Sequence, residues 1–163
     1  VVAVQGFCFT AGIELMLNAD VVIADANTQF AQMEVQRGIL PFGGATVRFV
    51  QAAGWNKAMR YLLTGDSFNA QVALDLNLIT EVVEASTPNA ALERALSLAE
   101  SIAQAAPLAV QATLASAQQA VQLGADYAFA HLQEHLSPLL KTQDVQEGVM
   151  AMLQRRPAQF KGQ

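Results

Sequence analysis

Val4-Gln5-Gly6-Phe7-Cys8-Phe9-Thr10-Ala11-Gly12-Ile13-Glu14-Leu15 is the stretch on which the reading of this chain turns. It reads as a strand, a turn of small residues and the start of a helix. Backbone N–H groups at a helix start point outward without partners and carry the positive end of the dipole; small side chains let an anionic oxygen reach them. Glu14 falls in the first turn of that helix. Further on, Gln32-Met33-Glu34-Val35-Gln36-Arg37-Gly38-Ile39-Leu40-Pro41 brings a second glutamate into a Gly/Pro turn. Pro41-Phe42-Gly43-Gly44-Ala45-Thr46 then leads into a helix carrying Arg48. On residue type alone, Glu14 complements a helix dipole and Glu34 is a solvated loop charge, because most such acids are exposed. No glycine-rich nucleotide loop, nucleophile elbow or paired-cysteine motif competes.

Outward from this stretch, short β-rich runs at 1–4, 20–24, 29–31 and 79–83 predict strands. Helices are predicted over 12–18, 45–52, 56–63 and 69–75. Ser67, Phe68 and Asn69 read as a turn into the last of these, and Asn77 as its left-handed stop. From Pro88 the pattern becomes helical. Ala91, Leu92, Ala95, Leu98, Ala99, Ile102 and Ala103 form one apolar stripe. Pro107 opens a helix to 123, and further helices are expected over 124–140 and 144–153. The class is α/β with an appended helical part, divided as 1–106 and 107–163.

Composition narrows the field. The 163 residues are 53% hydrophobic and 14% charged, with mean hydropathy +0.28, which suffices for a substantial core. A net charge of −5 argues against nucleic acid as a partner. One cysteine, Cys8, rules out an internal disulfide framework and suits a reducing compartment. The longest apolar stretch, 15–26, is broken by Asn18, Asp20 and Asp25, so no membrane span is expected. No export signal is visible, and the expected location is cytoplasmic. The chain opens without Met on the β-branched run Val1-Val2-Ala3-Val4, which reads as the C-terminal part of a longer protein.

Several blocks, in order, resemble the enoyl-CoA hydratase/isomerase (crotonase) superfamily. Val4 to Leu15 resembles its V-N-G-x-A-x-G-G-G-x-E-L loop, with Asp20 following. Phe30-Ala31-Gln32-Met33-Glu34 resembles F-x-x-P-E, and the run from Gly38 to Arg48 resembles G-x-x-P-x-x-G-G-T-x-R. Leu63-Thr64-Gly65-Asp66, with Ala70, Ala73, Leu78, Val82 and Val83, is similar to a further family block. Asp144, Glu147, Gly148, Arg156, Pro157 and Phe160 match its closing pattern. The resemblance implies a crotonase-like spiral of β-β-α turns, here its C-terminal part, followed by a helical trimerisation subdomain.

It also implies a substrate, an acyl-CoA thioester whose oxygen sits between two main-chain N–H donors. Ala11 occupies the position of one donor, and the other belongs to a loop preceding Val1. Glu14 would activate water and Glu34 handle the α-proton, which makes the activity enoyl-CoA hydration. Isomerases of the superfamily typically keep an acid only at the Glu34 position; isomerase is therefore the alternative, and a non-catalytic trimerising fragment is the reading from another class. Gly12, Met33, Phe42 and Gly43 fall at substrate-pocket positions. Met33 stands where the family has Pro, Phe42 where many hydratases have Gly, and Thr10 and Ala11 replace two glycines. Phe42 is expected to crowd the water site or form a pocket wall. Met152 and Arg155 fall where a neighbouring subunit's coenzyme A is contacted, within a homotrimer or a hexamer of paired trimers. No cofactor beyond the substrate's coenzyme A is implied. His131-Leu132-Gln133-Glu134-His135 formally matches a zinc-peptidase pattern but reads as a half-exposed helix face; no metal site is expected. Cys8 reads as a small buried residue, and Trp55 and Tyr61 as core or interface.

Overall fold

The computed structural model describes residues 1–163. The chain divides into two compact units, Val1–Ala99 and Glu100–Gln163.

The first unit is a spiral in which successive strands alternate between two small sheets. β1 (Val2–Val4), β3 (Val22–Asp25) and β6 (Glu81–Val83) form one parallel sheet in the order β1-β3-β6. The other sheet has the order β2-β4-β5, built from β2 (Phe7–Phe9), β4 (Gln29–Ala31) and β5 (Phe68–Asn69). β2 and β4 run parallel, and β5 returns antiparallel. Two strands then a helix is the repeating turn: β1, β2 and α1 (Ala11–Met16), then β3, β4 and a 3-10 turn over Glu34–Arg37. Val4 pairs with Ala24 and Phe9 with Ala31, so each turn lies in register on the next. The corner between sheets is fixed by the Gln29 N–H donating to the Gly6 carbonyl at 2.8 Å. Buried Thr28 adds a hydroxyl bond to the Val4 carbonyl at 3.3 Å.

α2 (Ala45–Ala53), α3 (Trp55–Leu62) and α4 (Ala70–Asp75) cover the second sheet. Phe30, Phe49 and Tyr61 gather round Phe68, with ring centroids 5.6, 6.1 and 4.5 Å from it. Tyr61 is therefore a core ring, whereas Trp55 is exposed. β5 is two residues long and follows Gly65-Asp66-Ser67, too short to produce an alternating pattern. α5 (Ala90–Ala103) sets Ala91, Ala95 and Leu98 on Ile23 of the first sheet. Leu92 and Ile102 of the same stripe stay exposed. Strand boundaries move by one or two residues, because the ladder runs over 22–25 and 81–83 rather than 20–24 and 79–83.

Asn69 caps α4, its side chain accepting from the Val72 N–H at 2.9 Å. Asn77 ends it at φ 56°, and the Leu78 N–H returns to the Ala73 carbonyl at 3.0 Å. Left-handed backbone costs an ordinary L-residue about 1–2 kcal/mol. Asn77→Ala is expected to lower stability by about 1 kcal/mol in urea unfolding, and Asn77→Gly by less.

The second unit contains α6 (Pro107–Leu123), α7 (Ala125–Leu139) and α8 (Gln143–Gln154). α6 and α7 pack along one another about Gly124, whose φ of 94° turns the chain. Residues 156–163 fold back on α8, where two acids hold them. Asp144 accepts the N–H groups of Lys161 and Gly162, both at 2.8 Å. Glu147 takes the Arg156 guanidinium through two bonds of 2.5 and 2.8 Å, and the Gln159 N–H at 2.8 Å. The Arg156 hydrogen bonds, then that from Gln159, hold the Glu147 carboxyl at about 2. A depressed value means this contribution is complete above the ordinary carboxylate range and is lost as pH falls through about 2. The Gln159 amide resonance should therefore hold its bound position down to strongly acid pH. In Glu147→Ala, which has no side-chain acceptor, it should take its released position already at neutral pH. No helix is long and apolar enough to cross a membrane.

Candidate active site

The site is assembled where β2 hands over to α1. The turn residue, Thr10, has φ 49° and ψ −113°, a region costly for a β-branched side chain. The family pattern has glycine at this position. Thr10 is anchored by its N–H on the Ala31 carbonyl at 2.8 Å, which ties the turn to the neighbouring β4. The next residue, Ala11, is the first of α1 and is exposed, so its N–H has no acceptor within the helix. Gly12 follows, and a Cβ there would touch the Cys8 sulfur at 3.4 Å.

Glu14 is 6% exposed and Glu34 5%. Both are buried: Glu34 against the expectation of a solvated loop charge, and Glu14 while standing in the first turn of α1 as expected. Glu14 reaches across to the start of α2, where its Oε1 accepts the Ala45 N–H at 3.2 Å. Its other carboxyl face lies on Gly43. A Cβ built on Gly43 would stand 2.7 Å from the Glu14 carboxyl carbon, so any larger residue here would push the Glu14 carboxyl from its place. Glu34 opens the 3-10 turn, and its Oε2 accepts from the Gln32 side-chain amide at 3.0 Å. Gln32 itself is fully buried. An ionised carboxylate only accepts hydrogen bonds, and each acid meets one donor.

The remaining expected residues distribute as follows. Met33 is half-buried beside Glu34. Phe42 is 81% exposed, so within this chain its ring does not fill the space beside the acids; its neighbour Gly43 makes the contact. Met152 is exposed, and Arg155 ends α8 at φ 52°, exposed and in no ion pair. Burial pushes the Cys8 thiol up to about 11, and its Sγ donates to the Met16 sulfur at 3.8 Å. Such a thiol is a packing group. His135 Nε2 is hydrogen-bonded to Gln119 Oε1 at 3.0 Å, and His131 stacks on Tyr127 with centroids 4.0 Å apart. Both histidines are engaged in packing α7. Sequence reading passed over the roles of Gln32 and the Ala45 N–H; neither carries charge, and only burial marks them.

Comparison with known proteins gives this geometry its context. The family model for enoyl-CoA hydratase/isomerase matches residues 1–163. The chain belongs to this family. It is similar to 2,3-dehydroadipyl-CoA hydratase of Escherichia coli, with 35% identity over 99% of this chain and 62% of the relative. The identity is 38% with (E)-benzylidenesuccinyl-CoA hydratase of Thauera aromatica, again over 99% of this chain and 62% of the relative. A crystal structure described as a probable enoyl-CoA hydratase/isomerase from Mycobacterium abscessus superposes with TM-score 0.94 and 45% identity, covering 99% of this chain and 62% of that one. The chain thus spans about three fifths of the length of these relatives. The crotonase-like fold inferred from the motifs is the fold observed.

Proposed function

We propose that this chain carries the acid–base pair of an enoyl-CoA hydratase, adding water across the 2,3-double bond of an acyl-CoA thioester. The observation that carries the reading is the burial of two glutamates, each on its own hydrogen-bond donor, in the unit whose α1 opens on the exposed residue Ala11. Hydration needs a base to take a proton from water and an acid to give one to the α-carbon. Glu14 is assigned the base, since its partner is a backbone N–H, which can only donate. As water's oxygen bonds to the β-carbon, the π electrons move toward the thioester oxygen. That oxygen takes up negative charge against the Ala11 N–H and a second donor outside this chain. Glu34 then delivers its proton to the α-carbon. Double-bond migration requires only one proton carrier, so the burial of both acids supports hydration over isomerisation.

The working assembly is proposed to be a homotrimer or a pair of trimers. Phe129 (75% exposed), Leu132, Leu136 and Leu140 leave α7 with an uncovered apolar face, and an open groove of about 550 Å³ lies along α6 and α7. Apolar patches of this kind mark interfaces. Arg155, unpaired, would reach a neighbouring subunit's coenzyme A phosphate with its donor fork, beside Met152. The test is a comparison of 2-enoyl-CoA and 3-enoyl-CoA as substrates for the full-length polypeptide. The reading expects a 3-hydroxyacyl-CoA from the first as the faster reaction. Migration of the 3-enoyl double bond without hydration would replace it with the isomerase.

A further inference from the structure

Gln32 is the one side chain in the structure with a fully buried polar atom lacking a partner. Its Nε2 donates to Glu34 Oε2 at 3.0 Å, while its Oε1 meets no donor. An unmet buried acceptor is destabilising, and a methionine of similar shape would avoid it. We propose that Gln32 is a positioning residue that lets Glu34 exchange its proton. Its amide donates to the carboxylate and, turned about its last bond, presents Oε1 to the O–H of the protonated acid. A cationic partner would hold Glu34 ionised, and a carbonyl alone would hold it protonated; a carboxamide serves both forms. Glu14 instead meets the backbone N–H of Ala45, which can only donate. This inference rests on the assignment of Glu34 as the proton carrier.

The surroundings leave Gln32 as the deciding group. Arg37, on the same 3-10 turn, makes no ion pair. Among the elements packed on β4, β2 brings only Cys8, whose thiol faces Met16, and β5 brings no charge. The single acid of α4, Asp75, accepts from Gln71. Glu14 is the other buried acid of the site, and no hydrogen bond joins it to Glu34.

The experiment is a pH titration by NMR of the full-length polypeptide, following the Glu34 carboxyl carbon and the Gln32 side-chain amide. In the wild type both are expected to move with one midpoint, and the amide movement should vanish in Glu34→Gln. In Gln32→Met, or in Gln32→Leu if methionine does not fold, the Glu34 midpoint should rise by about one pH unit, the difference between a hydrogen bond to a charged group and one to a neutral group. The alkaline limb of kcat/KM should move to higher pH with it, since Glu34 must be protonated to deliver its proton. A wild-type Gln32 amide indifferent to the Glu34 midpoint would overturn the proposal, as would an unchanged midpoint in the apolar variant. The titration needs no turnover, so failure of the hydratase reading would appear separately, in the kinetics.

Discussion

Glu34→Gln is expected to lower kcat on a 2-enoyl-CoA by about a hundredfold or more while KM changes little. The substitution keeps the shape of the side chain but removes the exchangeable proton, and proton transfer by a placed side chain contributes about a hundred- to ten-thousandfold. Glu34 is buried and bonded through Gln32, so no solvent carboxylate is positioned to substitute for it. A loss in kcat with unchanged KM identifies an interaction made in the transition state. The measurement is steady-state kinetics on the full-length polypeptide, and wild-type turnover would remove Glu34 from the mechanism.

Gly43→Ala is expected to injure the other half of the pair without touching an ionisable group. Gly43 does not have a positive φ, so the new side chain brings no backbone strain to confuse the result. Its methyl would stand 2.7 Å from the Glu14 carboxyl carbon and 3.2 Å from the Glu14 Cβ. Glu14 must move, and the Ala45 N–H bond that aims it is lost. Overpacking of this kind costs about 1–3 kcal/mol of stability, and displacing a catalytic group by about 1 Å can cost a hundredfold in rate. Thermal unfolding and kcat should fall together, whereas Phe42→Gly, one residue away on an exposed ring, should leave stability nearly unchanged. A Gly43→Ala protein with wild-type kcat would mean that Glu14 works from some other position.

Much of this arrangement is legible in the amino-acid sequence. β-branched runs marked β1 and β3, and Pro107 with Gly124 framed α6, because proline fixes φ at a helix start and glycine takes the positive φ beyond its end. Asn77 announced its own left-handed turn. The glutamates were visible as residues, and motif resemblance singled them out, but their burial was not. Residue type placed Glu34 in solvent. Burial of a charge depends on partners distant in sequence, such as Ala45 for Glu14, and no local pattern records that. Gln32 was hidden for the related reason that an uncharged amide acquires its role only through what it faces. β5 escaped because two residues hold no period; its pairing is set by Phe68 filling the space among Phe30, Phe49 and Tyr61.

The most direct measurement of the central claim is the product formed from a 2-enoyl-CoA by the full-length polypeptide, compared with Glu14→Gln, Glu34→Gln and the double variant. A 3-hydroxyacyl-CoA is expected from the wild type, with each single variant as impaired as the double, as the proposed action of the two carboxylates as one unit requires. Hydration at the wild-type rate by the double variant would contradict it.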